Sequence, residues 1–261
     1  MNEIIGYLSK LQTKLRFDEY ESSAETSTGY LKQKLWAAFQ NKLQDVIIFG
    51  SYDRKTILSP TIDKEADIDV MVIFKAGEFK PQTYLDQLRK FSEKTYPRSE
   101  IFPDFPTVVI ELTNLKFELV PAYWYTPFLE DKKLMIPGSP SKEVKWIPTD
   151  PSSFKTKLTK KNSQLKENLI PLILILKYWN CLNNYPFLSY NLEKFIVERV
   201  FEKDDLKSML FATINGLSTL AINEKQKEAV RIIVEKKRRL ILMEKERLNE
   251  YLLLEMQSFL P

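Results

Sequence analysis

Residues 66–74 read Ala-Asp-Ile-Asp-Val-Met-Val-Ile-Phe, and they form the clearest strand in the chain. Side chains alternate along a strand, so Asp67, Asp69 and Met71 point one way while Ile68, Val70 and Val72 point the other. Two carboxylates are thereby set side by side on one face. Like charges at such range repel, and burying them unpaired is costly. A divalent cation removes the conflict, since Mg²⁺ takes oxygen ligands and keeps positions open for water and phosphate. Two such ions roughly 3.5–4 Å apart can stabilise both the attacking and the leaving oxygen of an in-line displacement. The same pattern also suits an exposed edge strand carrying two solvated aspartates.

The neighbouring segments extend this reading. Asp45-Val46-Ile47-Ile48-Phe49-Gly50-Ser51 is an apolar run ended by Gly-Ser, which predicts a buried strand followed by a helical turn over residues 53–58. Gly50 lets the backbone approach a phosphate, and Ser51 adds a hydroxyl. An ordinary strand-to-helix turn would look much the same. Residues 107–113 and 116–123 predict two strands joined by a turn at Asn114. Glu118 lies among Phe117, Leu119 and Val120, where a carboxylate needs a partner unless the strand lies at an edge.

Helical spacing marks residues 2–15 (Ile4, Leu8, Leu11, Leu15), a second helix through Leu31, Leu35, Phe39 and Leu43, and a third over 81–95. Residues 126–160 are rich in Pro, Ser and Lys without a period, and read as a linker or wrapped loop. From about 164 the chain reads as helices over 165–181, 191–202, 205–220 and 224–256. The expected organisation is N-terminal helices (1–44) packed on a catalytic core (45–125), a wrapping segment (126–163) and a C-terminal helical lobe (164–261). The expected class is α+β, a mixed sheet with helices braced by that lobe.

Composition narrows the chemistry. The 261 residues include no His and one Cys, Cys181. Histidine bases, Ser-His-Asp triads, histidine metal ligands and an intrachain disulfide are therefore excluded. The net charge of +4 comes from 39 basic and 35 acidic residues interspersed along the chain, which alone does not predict a nucleic-acid partner. The N-terminus lacks an apolar stretch of signal-peptide length, and the run Leu169–Leu176 is too short to span a bilayer. A cytoplasmic protein without membrane association is expected.

Taken together, Gly50-Ser51-Tyr52-Asp53-Arg54-Lys55-Thr56, Asp67-Ile68-Asp69 and Glu118-Leu119-Val120-Pro121-Ala122 resemble the DNA polymerase β-like nucleotidyltransferases. The nearer resemblance is to the SMODS-type enzymes, the bacterial cGAS/DncV-like nucleotidyltransferases (CD-NTases), and it runs from about residue 45 to about 195. It implies a polymerase β-like core with a C-terminal helical lobe. Asp67, Asp69 and Glu118 would hold two Mg²⁺ or Mn²⁺ ions, and Gly50, Ser51 and Lys177 the donor triphosphate. Ser189 would touch phosphate and Tyr190 would stack on a base. Lys177 could equally be a snorkelling residue and Tyr190 a core residue. The family's third carboxylate is usually Asp, so Glu118 is a departure that puts full activity in doubt. The chain is also short for the group, which implies reduced lid or acceptor-binding elements.

The implied reaction joins nucleoside triphosphates into a cyclic or short linear oligonucleotide messenger with release of pyrophosphate. In such a family the product acts in antiphage (CBASS-like) defence through a downstream effector protein. Two other readings stay open. One is template-independent addition to RNA or tRNA 3′ ends, for which Lys155, Lys157, Lys160 and Lys161, or residues 236–239, would supply a basic face. The other is a nucleotide-binding regulator with little turnover.

Overall fold

The computed structural model describes residues 3–75, 79–104, 106–128, 131–138 and 145–260. The chain divides into two compact units. One comprises Phe17–Pro60 and Lys64–Lys155, the other Met1–Arg16, Thr61–Asp63 and Thr156–Pro261.

The first unit is a mixed sheet with helices. Helix α2 (Glu21–Phe39) leads into β1 (Leu43–Ile48), the single helical turn α3 (Gly50–Asp53) and β2 (Ile68–Phe74). Then come α4 (Pro81–Thr95), β3 (Glu100–Asp104), β4 (Thr107–Glu111), β5 (Lys116–Tyr125), β6 (Lys133–Pro137) and β7 (Trp146–Thr149). Spatial order is β1-β2-β5-β4-β3, with β6 on the far end of β5 and β7 on β6. The β2–β5 pair is parallel and the other pairs are antiparallel. Pro121 cannot donate to a ladder. It stands where the flank of β5 changes partner, after Leu119 pairs with Val108 and before Tyr123 pairs with Met135.

Alternation divides the sheet's two faces. Ile68, Val70, Val72 and Phe74 of β2 join Phe117 and Leu119 of β5 in a buried cluster with Leu31 and Leu35 of α2 and Leu85, Leu88 and Phe91 of α4. The opposite face carries a smaller cluster of Met71, Ile73, Ala122 and Leu134, with Ile47 and Phe49 packed on it. Asp69 shares the parity of Met71 and Ile73, so α2 and α4 cover the face that the acids leave.

The second unit is helical. It holds α1 (Glu3–Leu15), most of α5 (Pro151–Gln164), α6 (Leu169–Leu182), α7 (Ser189–Glu198), α8 (Leu206–Gly216), α9 (Glu224–Lys245) and α10 (Asn249–Phe259). Helix α1 buries Ile4, Leu8, Leu11 and Leu15 and packs on α6, α8 and α10. The N-terminal helices are thus divided, α1 going with the C-terminal helices and α2 with the sheet.

Several local expectations change. Leu43, expected in the second helix, opens β1 instead, since α2 ends at Phe39. The helical turn covers residues 50–53 rather than 53–58, because it starts at Gly50, whose φ is +71°. The segment over 126–160 carries β6, β7 and the start of α5; its strands are short, Pro-containing and specified by pairing, β6 with β5 and β7 with β6. The long helix after 224 breaks into α9 and α10 around Arg247, whose φ is +58°.

Candidate active site

The acids meet at the centre of the sheet. In the parallel ladder Asp69 is the register partner of Glu118 and Ile68 that of Phe117. Asp67 lies two residues before Asp69, just ahead of β2, and all three acids are half-buried. Burial, and then the charges of Asp67 and Asp69, push the Glu118 carboxyl up to about 8; Asp104 adds to the rise and Lys116 opposes it. Like charges held in a desolvated place behave this way. Among the described residues, no three acidic or thiol side chains stand at ligand spacing around one point. The acids are grouped around the Asp69–Glu118 register pair.

The Gly-Ser turn closes onto this group. The Phe49 N–H donates to the Asp69 carbonyl at 3.1 Å. A Cβ placed on Gly50 would lie 1.6 Å from Asp69 Oδ2 and 2.5 Å from its Cγ. The positive φ and the missing side chain are therefore both required. The rest of the motif fastens the turn. Tyr52 is buried against Phe17, with ring centroids 5.4 Å apart, and its hydroxyl donates to Glu21 of α2 at 3.2 Å. Asp53 pairs with Lys155 at 2.7 Å, and the Arg54 guanidinium sits 5.2 Å from the Phe154 ring centre. Thr56 is buried and donates its N–H to the Ser51 carbonyl at 2.9 Å.

Lys116 joins the group without having been singled out in the sequence. It lies two residues before Glu118 on the same side of β5 and bonds the exposed Glu65 at 3.1 Å. Burial works against its charge, but the bond to Glu65 and the fields of Asp67, Glu65 and Glu118 outweigh burial and raise its pKa. The i, i+2 spacing to Glu118 was the signal that could have revealed it.

The remaining expected residues lie in the helical unit. Lys177 of α6 is buried, with Nζ 3.1 Å from Oε1 of the buried Glu193 on α7. Ser189 opens α7 and is half-buried, and Tyr190 beside it is 51% exposed. Asp67, Asp69, Glu118, Gly50 and Ser51 are thus brought together in the sheet unit, whereas Lys177, Ser189 and Tyr190 group on α6 and α7.

The donor set is all oxygen, as Mg²⁺ or Mn²⁺ prefers. Its clustered negative charge and the glycine cradle at Asp69 fit a divalent cation. Among the described residues no helix is long and apolar enough to cross a membrane.

Comparison with known proteins agrees with this geometry. A probable cyclic nucleotide synthase of Bacillus cereus (strain VD146) is 26% identical over 189 residues, covering 59% of this chain and 55% of that protein. The chain thus spans about half the length of the curated relative it matches. The fold is similar to that of the Bradyrhizobium diazoefficiens CD-NTase CdnG, solved in complex with GTP. There the TM-score is 0.67 and the identity 12%, over 81% of this chain and 75% of that one. It is similar also to E. coli MS115-1 CdnC, solved with ATP, with a TM-score of 0.63 and 16% identity over 84% and 72% of the two chains. The model of the Second Messenger Oligonucleotide or Dinucleotide Synthetase domain (SMODS) matches residues 3–162, more than half of the chain, and the chain belongs to that family.

Proposed function

We propose that the chain is a divalent-metal-dependent nucleotidyltransferase that joins nucleoside triphosphates into a cyclic or short linear oligonucleotide and releases pyrophosphate. The observation that carries this reading is the pairing of Asp69 with Glu118 across parallel strands, with Gly50 pressed against the Asp69 carboxylate. Asp67, Asp69 and Glu118 would hold two divalent cations, which when bound supply charge stabilisation to the phosphoryl, attacking and leaving oxygens. Gly50 and Ser51 hold the donor triphosphate by close backbone approach. Glu118 accepts the proton of the attacking ribose hydroxyl on a carboxylate oxygen. The hydroxyl oxygen bonds to the α-phosphorus as the bond to pyrophosphate breaks. Lys177, Ser189 and Tyr190 would serve the nucleotide from the helical unit, with Glu193 holding the Lys177 ammonium in place.

Relatives solved with ATP and with GTP support nucleoside triphosphates as substrates. The product would act as a second messenger on an effector protein in antiphage defence, a role that rests on family analogy. Mass spectrometry of the products from the four triphosphates with Mg²⁺ or Mn²⁺ tests the reading. Phosphatase-resistant products and pyrophosphate are expected, both abolished in Asp69→Asn. Turnover unchanged in that variant, or no pyrophosphate from any triphosphate, overturns it.

A further inference from the structure

The basic runs that stand out in the sequence are largely engaged within the fold. Lys155 pairs with Asp53, Lys157 with Glu198 and Arg239 with Glu235. Lys161 donates to the carbonyls of Val197 and Arg199, and Lys237 to Asn215. A set dispersed in sequence behaves differently. A groove of about 830 Å³ runs between α2 and α4, bordered by Lys34 and Lys42 on one wall and Lys90 and Lys94 on the other. Among the described residues, none of these four ammonium groups has a carboxylate within ion-pair distance. The acids that α4 offers are engaged elsewhere, Asp86 with Gln82 and Glu93 with Arg89. Lys90 and Lys94 stand one turn apart on a single helix face. Four like charges gathered around one concavity repel one another, so stability gives no reason for them.

Tyr30 lines the same groove and is 47% exposed. Its ring is braced edge-on by Tyr96 at 6.3 Å, and the Lys34 ammonium lies 5.0 Å from its centre. An aromatic platform among cations is the arrangement that holds single strands, with phosphates on the lysines and a base on the ring.

We propose that the α2/α4 groove binds a single-stranded nucleic acid. A bilayer surface would need a flat or convex basic face rather than a groove, and an acidic peptide would leave Tyr30 without a stacking partner. Helices α2 and α4 cover the sheet face carrying Val70 and Val72, while Asp69 has the opposite parity. A strand held in the groove is therefore a bound ligand and not the acceptor at the acids. The inference stands independently of the proposed reaction.

Fluorescence anisotropy with a labelled oligouridylate of about twelve nucleotides tests it. Four lysine–phosphate contacts predict that log K falls with log salt with a slope of roughly −3, at about 0.7 per phosphate for single strands. Lys90→Glu with Lys94→Glu should weaken binding by more than about tenfold and flatten the slope. Tyr30→Ala should weaken it by about tenfold and leave the slope unchanged. Asp69→Asn should bind as the parent does, and the oligonucleotide should keep its length when triphosphates and Mg²⁺ are added. If the charge-reversed pair misfolds by circular dichroism, Lys34→Gln with Lys42→Gln on the other wall replaces it with the same expectation. Salt-independent or absent binding overturns the proposal, as does full affinity in the lysine variants. So do equal competition by polyglutamate, capture by phosphatidylserine vesicles in place of the oligonucleotide, lost binding in Asp69→Asn, or lengthening of the oligonucleotide.

Discussion

Gly50 carries a φ of +71° and leaves no room for a methyl group before Asp69. Gly50→Ala therefore acts twice. The left-handed backbone costs about 1–2 kcal/mol for an L-residue with a side chain. The new Cβ also drives the Asp69 carboxylate from its place, and a misplacement of about 1 Å in a reacting group can cost ~100-fold in rate. Loss of turnover by roughly that factor with a modest fall in Tm is expected; turnover near the parent level would show that the cradle does not position Asp69. Glu118 yields a second prediction. Its carboxyl titrates at about 8 in the folded protein against an ordinary 4.5, through burial first and then Asp67 and Asp69. The folded state thus binds more protons than the unfolded state between those values, and stability falls as pH rises through that window. Below 4.5 the penalty is absent; above about 8 it is complete. Each pH unit of separation is worth about 1.4 kcal/mol, so the full penalty is at most a few kcal/mol. In EDTA, Glu118→Gln should gain stability over the parent steadily from pH 5 to pH 8, measured by urea denaturation. A constant difference between the two proteins across that range would show that Glu118 ionises freely.

At the scale of elements, β2, β4, α4 and β5 were legible because each carries its own period or apolar run, and because Asp67, Asp69 and Glu118 interrupt apolar runs where a charge requires a reason. Strands β6 and β7 were not legible. Met135 and Leu134 become strand by pairing with Tyr123 and Trp124, and Ile136 and Ile147 pair only with each other. Tertiary partners rather than local propensity specify such segments. Lys177 shows the same limit. One lysine in the apolar run of α6 could snorkel or reach a ligand, and only the structure shows that it bridges to Glu193 on α7 with both side chains buried. Lys177→Met alone would strand a buried carboxylate and should cost about 3–5 kcal/mol. Lys177→Met with Glu193→Met should restore most of that stability. If Lys177 also serves the triphosphate, the double variant stays folded while its KM for nucleotide rises. Unchanged KM in the folded double variant would make the pair purely structural.

Across the whole molecule the chain passes between its two units at residues 16–17, 60–61, 63–64 and 155–156. The assignment of α1 to the helical unit was beyond the sequence. Its apolar stripe shows that it must pack, but the surface it covers comes from α6, α8 and α10, more than a hundred residues away. The middle excursion is the shortest, and its anchor is a half-buried cluster around the buried Asp63. Tyr185 donates its hydroxyl to Asp63 at 2.5 Å, and Cys181 Sγ lies 3.2 Å from the same hydroxyl and 3.5 Å from the Ile62 carbonyl. Burial first, and then the bonds to Asp63 and Cys181, drive the Tyr185 phenol well above its ordinary range, so it stays a donor at any working pH. Residues Thr61–Asp63 are thereby tied to α6, while Pro60 and Lys64 on either side belong to the sheet unit and Asp67 follows four residues after Asp63. Tyr185→Phe deletes the donor and keeps the ring. Loss of a hydrogen bond to a buried charged group should cost about 1–3 kcal/mol. The loosened tether should further raise the hydrogen-exchange rate of residues 61–67 and lower kcat more than it raises KM, since the affected segment leads to Asp67 and not to Ser189 and Tyr190 of α7, the residues proposed to serve the nucleotide. Exchange confined to α6, with residues 64–67 as protected as in the parent, would show that the excursion does not transmit to the acids.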